Sequence, residues 1–278
     1  MLSKLLKYEL KATARTFLPL FGALLGLACI NKLLGLPLPS QWSAPKAITL
    51  TLYGCMIAAV FVMTFVVTIQ RFYKSLLSEE GYLMFTLPVK PWMHIVTKLL
   101  ISALWIVTSM VTVMFSIAIL AFEKLSDPEN WRKLGELAAS FYAHEGAWAL
   151  TIEFVLLFVI SLFANNLMVY ASIAVGHLVN DHKLLASIGA YFGLSTVSQI
   201  LFMALSFIPM QAGITPFSRG LFFGNMQVNS LDAAATTTAG FISQFSGMML
   251  FMVAFTLLIS ALCYGLTHII LTKKLNLE

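Results

Sequence analysis

The sequence predicts an all-α polytopic membrane protein: six transmembrane helices, with an N-terminal amphipathic interfacial helix before them and a re-entrant outer segment before the last span. Three observations predict it. Hydrophobic residues make up 59% of the 278 and charged ones only 10%, against roughly 25% charged in an ordinary soluble domain. Uncharged windows recur that are long enough for a ~30 Å hydrocarbon core, at roughly 20 helical residues per crossing. Lys and Arg are unevenly divided between alternate connections, which is how membrane helices are oriented. The net charge of +5 therefore argues for orientation and anionic lipid, and against nucleic acid as a partner.

The first sixteen residues carry Lys4, Lys7, Lys11 and Arg15 at helical spacings of three and four, with Leu2, Leu6 and Leu10 on a different face. Residues 1–16 read as an amphipathic helix on the inner leaflet, turning into the membrane near Pro19; a plain basic flank is the alternative. The run ending LLGLAC resembles a secretory or lipoprotein leader. Its charged lead extends over sixteen residues, however, and Gly26 stands where such a site requires a larger aliphatic residue. A retained first span is expected.

The transmembrane domain spans 17–271. Its six spans are Phe17–Leu34, Ala47–Ile69, Leu99–Phe122, Ala149–Val175, Leu184–Ile208 and Gly247–Leu271. In the first, only Thr16–Asn31 is free of charge, so Lys32 must reach the interface along its own stem. An inside N-terminus gives 11 Lys and Arg to the inner face and 6 to the outer, where five acidic residues surround three of the six. Both termini, including the tail 272–278, are thus expected in the cytoplasm. The outer loop 123–146 is charged and predicts a short helix with Pro128 at its first position. The connection 209–246 has only Arg219 and Asp232 as charges and is broken by Pro216 and several glycines. Such backbone at membrane depth must be surrounded by protein or a wet cavity, hence the re-entrant reading.

The inner connection 72–90 contains SEEGYLMFTLPVK. Leu76, Glu80, Leu83 and Leu87 follow helical spacing, and Tyr82 and Phe85 are three apart. The helix must end before Pro88, because proline disfavours helical geometry in the residue preceding it. Gly81 costs about 1 kcal/mol relative to alanine, so something outside the helix must hold it. The apolar face suits a groove on another protein; resting on the membrane interface, with Tyr82 and Trp92 as anchors, is the other reading.

In these two regions, its N-terminus and its second connection, the chain resembles an ATP-binding-cassette export permease of the second (ABC-2-like) type. MLSKLLKYELKATARTFLPL resembles the opening of that family, and EEGYLMFTLPV the coupling segment of its small bacterial members. The shared architecture covers essentially the whole chain, while similarity at residue level is confined to those two stretches. The resemblance implies that Glu79, Glu80, Gly81, Tyr82, Leu83, Phe85, Leu87 and Pro88 dock on a nucleotide-binding ATPase subunit. It also implies a second permease chain, identical or related, and a bacterial inner-membrane location. No GxxxxGK[ST] phosphate loop occurs in the sequence, so ATP and Mg would be bound by the separate ATPase and this chain would carry no cofactor.

Other chemistry is sparse. His177, Asp181 and His182 could be read as a metal site, but they lie in a short inner turn beside Lys183, where a solvated turn is expected and no metal is assigned. Cys29, Cys55 and Cys263 sit in apolar windows, without disulfide or metal spacing, and read as small buried hydrophobes. Glu153 is the one carboxylate inside an apolar run. It lies about one turn below the outer end of the fourth span, where a charge costs less than the 2.5–3.5 kcal/mol of mid-bilayer. Either it lines an outer vestibule or it reaches the interface. Asn165 and Asn166, near mid-span, either hydrogen-bond to another helix or join Glu153 along a translocation path. No nucleophile–base–acid set survives, and His268 has no partner at motif spacing, so no enzyme activity is expected.

The reading that results is a permease subunit that couples ATP hydrolysis on a partner to export of an amphipathic, lipid-like or peptide substrate. The alternative is an ATP-independent secondary carrier or scaffold. A carrier is expected to hold ionisable residues near the midplane.

Overall fold

The structure is a computed structural model that describes residues 2–34, 43–76, 91–144, 146–178, 183–211 and 233–273. Every element among them is helical: α1 (Leu2–Leu34), α2 (Ser43–Leu76), α3 (Pro91–Leu120), α4 (Phe122–Leu125), α5 (Pro128–Tyr142), α6 (Ala147–Gly176), α7 (Lys183–Gln211) and α8 (Ala233–Lys273). Six of these helices are long and apolar enough to cross a membrane. The chain divides into two compact units, Met1–Arg132 with Asn276–Glu278, and Lys133–Leu275.

In the first unit α1, α2 and α3 pack on one another. The core is a stripe of α1 (Phe17, Phe21, Leu24, Ala28) against Tyr53, Val60 and Val67 of α2 and Ile101, Trp105 and Val113 of α3. Phe17 stacks on Trp105 with centroids 4.4 Å apart, and the indole Nε1 of Trp105 donates to Thr13 Oγ1 at 2.7 Å. Because lipid is as apolar as these side chains, packing and hydrogen bonds must hold the helices together. Accordingly, Tyr53 Oη meets Ser116 Oγ at 2.8 Å and Thr64 Oγ1 meets Ser109 Oγ at 2.9 Å. Asn31 Nδ2 donates across to the Thr49 carbonyl at 3.0 Å.

Two features of this unit differ from expectation. First, α1 continues through Pro19 without interruption, so the chain does not turn there and residues 2–16 form the first half of one helix. Proline is tolerated inside membrane helices whose neighbours hold them, and here Thr13 and Phe17 before Pro19 and Phe21 after it all meet Trp105. Second, α3 begins at Pro91, eight residues before the span expected from Leu99. Lys98, the charge that bounded that span, is buried and paired with Glu9 of α1 at 3.1 Å. Pro91 sits at the first helical position, where its missing N–H costs nothing.

In the second unit, α6 packs on both α7 and α8. Positions 150, 153, 157, 160, 164, 167, 171 and 174 of α6 are all buried or half-buried, as are 246, 249, 253, 256, 260, 263, 267 and 270 of α8. The alternating steps of three and four make each a heptad seam of the kind that lets two helices pack along their length. At the C-terminal end of α6, Gly176 lies against Ser187 of α7: a Cβ built there would overlap Ser187 Oγ and come 2.5 Å from its backbone N and Cα.

α5 begins at Pro128 as expected, with the Glu129 N–H donating to Asp127 Oδ1 at 3.0 Å. At the entry to α6 the turn passes through Gly146 at φ 90°, a left-handed conformation that side chains disfavour. Tyr142 closes this turn by stacking on Trp148 at 4.3 Å. Gln211 ends α7 and α8 begins at Ala233, so residues 233–246 of the segment read as re-entrant are helix continuous with the last span. AAATTTAG at its start offers four alanines, the best helix former. Residues 212–232 lie outside the described residues.

Candidate functional site

All eight residues expected to dock an ATPase, Glu79, Glu80, Gly81, Tyr82, Leu83, Phe85, Leu87 and Pro88, lie outside the described residues. What is described is the pair of helices that carries them. α2 ends at Leu76 and α3 starts at Pro91, so residues 72–76 of the proposed coupling segment belong to α2. The two helices pack on each other and are anchored close to these ends. Phe72 and Ile95 are fully buried, and Thr68, Thr97 and Lys98 are buried as well.

The second candidate group does not form one cluster. Glu153 Oε1 accepts a hydrogen bond from Ser246 Oγ of α8 at 2.7 Å, while Oε2 is buried and has no hydrogen-bond partner among the described residues. The side chain thus lies in the α6–α8 seam, neither in open solvent nor free in lipid. Asn166 is buried, but its Nδ2 donates to the Leu162 carbonyl of its own helix at 2.7 Å, where a bond to another helix was expected. Asn165, 100° further round, is exposed. Thirteen residues separate Glu153 from Asn166, which at 1.5 Å each is about 20 Å along α6.

His177 Nδ1 lies 3.0 Å from the Ile173 carbonyl at the end of α6, and Asp181 and His182 are outside the described residues. Among the described residues no group of three His, Cys, Asp or Glu could hold a metal ion. Cys263 is buried as expected, but Cys29 and Cys55 are exposed on the surfaces of their helices. Apolar helices do not need to bury a thiol to keep it from water when lipid surrounds them.

Two contacts at opposite ends of α1 escaped sequence reasoning. Lys98 and Glu9 join the basic half of α1 to α3, with side chains 5% and 17% exposed. Lys32 donates to Glu123 Oε1 at 2.8 Å and lies 5.9 Å from the centroid of the Phe122 ring. That hydrogen bond, reinforced by the charge of the ammonium, holds the Glu123 carboxyl below its ordinary value. The expected reach of Lys32 to the interface ends on a carboxylate. A signal for the interior bonds was present in α3, where Lys98, Ser102, Trp105, Ser109 and Ser116 recur on one face. They are polar or amphipathic residues aligned along one side of a predominantly apolar span.

Compared with protein-family models, curated proteins and solved structures, the chain matches none.

Proposed function

We propose that the chain is the membrane-spanning permease subunit of an ATP-driven exporter of the second ATP-binding-cassette type. The observation that carries this reading is EEGYLMFTLPV, an apolar, aromatic helix pattern ended by Pro88, placed in the connection between α2 and α3. A motif of that kind is too short for a core of its own and suits a groove on a partner. The two helices that carry it pack on each other, and a push on the segment would reach the membrane through them. ATP and Mg sit on a separate ATPase, and two permease chains engage two ATPases so that each contact raises the effective concentration of the next. An amphipathic, lipid-like or peptide cargo agrees with the scarcity of charge in the spans.

The test is co-purification of a candidate ATPase with the wild-type chain and with Tyr82→Ala/Leu83→Asp. The double variant is expected to insert normally and lose the ATPase; retention at the wild-type level would leave the docking idea without support. A second reading, a carrier independent of ATP, draws on Glu153, whose carboxylate is held by Ser246 between two helices. It calls for Glu153→Gln to abolish uptake or efflux driven by an ion gradient, in membranes containing no ATPase partner.

A further inference from the structure

The outward side of α1 carries cations along one half and an open, glycine-floored apolar strip along the other. At 100° per residue, Lys7, Lys11, Arg15, Leu18, Gly22 and Gly26 all fall within about 50° of a single line. That line is turned about 130° from the centre of the buried stripe of the same helix. All six are exposed, Leu18 at 63%, and a Cβ built at Gly22 or Gly26 meets nothing within 4 Å. Charge is uncompensated on this side alone. Lys32 at the far end of α1 is answered by Glu123, and Glu9, the only carboxylate of the helix, is taken by Lys98. Among the described residues no acceptor answers Lys7, Lys11 or Arg15.

We propose that this side of α1 holds one anionic diacyl phospholipid, its phosphate between Lys11 and Arg15 and one acyl chain along Leu18, Gly22 and Gly26. The dimensions agree. The charge-free stretch from Thr16 to Asn31 is about 24 Å long, which sets Arg15 close to the edge of the ~30 Å hydrocarbon core and Lys11 among the headgroups. Leu18 to Gly26 then covers about 12 Å, most of the depth of one leaflet. Polybasic segments at this level attract anionic headgroups, and glycines let another chain lie close to the helix backbone.

The test is native mass spectrometry of the full chain purified in dodecyl maltoside. It is offered dioleoyl phosphatidylglycerol or dioleoyl phosphatidylcholine, lipids that differ only in the headgroup. Wild type is expected to retain the anionic lipid about tenfold more than the zwitterionic one. Lys11→Gln/Arg15→Gln is expected to erase that preference, and the charge-conserving Lys11→Arg/Arg15→Lys to keep it. Gly22→Leu/Gly26→Leu, which fills the strip, is expected to lower retention of both lipids, and glycerol phosphate, which has no chains, not to compete. An unchanged preference in Lys11→Gln/Arg15→Gln overturns the proposal. So does a leucine pair that retains lipid as before but converts a dimer into a monomer, because the strip would then belong to a second copy of the chain.

Discussion

The buried Lys98–Glu9 pair shows how far a single residue governs the first unit. Sequence reasoning placed Lys98 at the inner face, as a charge ending a span. The residue lies inside α3, paired with Glu9 and 5% exposed, so the helix does not begin after it. Removing one member of a buried ion pair costs more than removing both, because a lone carboxylate in a poorly solvated place has no compensation. Lys98→Met is therefore expected to destabilise the protein by about 3 kcal/mol, read from reversible unfolding in mixed micelles. Glu9→Gln/Lys98→Met is expected to recover most of that loss. Equal stability of Lys98→Met and wild type would mean that the pair is incidental. The two asparagines carry the same lesson in reverse. Their types were legible, but a step of 100° buries Asn166 and exposes Asn165, and neither joins Glu153.

At the scale of elements, glycine decides where helices touch. Gly176 admits α7 to the end of α6 so closely that no β-carbon fits beside the backbone of Ser187. Backbone cannot step aside as a flexible side chain can, so Gly176→Ala is expected to lose about 2–3 kcal/mol in the same unfolding measurement. Gly189, on α7 itself, faces open space, and there Gly189→Ala is expected to be neutral or to gain up to about 1 kcal/mol from helix propensity. Equal effects at the two sites would count against the close approach. The existence and order of the six apolar helices were legible because each needs only a charge-free window. Their ends were not. α1, α3 and α8 all run past the predicted boundaries, in α3 because a partner elsewhere in the chain neutralises the charge that marked the limit.

At the scale of the whole molecule, helix length sets a constraint. α8 has 41 residues and extends about 60 Å, and α1 with 33 about 50 Å, both well beyond the ~30 Å core. Such helices tilt or project into the aqueous layers. The docking reading depends on which layer the connection between α2 and α3 enters. The excess of Lys and Arg in the connections on that side gives the expectation that it is cytoplasmic. A membrane-impermeant maleimide is thus expected to label Tyr82→Cys in opened membranes and not in intact cells. Labelling of intact cells would place the segment on the wrong side for any ATPase and remove that proposal, while leaving the lipid strip on α1 standing.

By itself the sequence determined that this chain is helical and has six segments long and apolar enough to cross a bilayer, because the cost of exposing backbone and charge to hydrocarbon is paid residue by residue and can be read locally. It also determined the basic stripe of α1 and the pattern of the connection 77–90, which are matters of spacing. Only the tertiary structure decided which polar residues inside the spans find each other: Glu9 with Lys98, Thr13 with Trp105, Glu153 with Ser246. Those pairings are 89, 92 and 93 residues apart in the chain, and no local pattern encodes a distance of that kind. It is set by how three helices settle against one another once their apolar faces are packed.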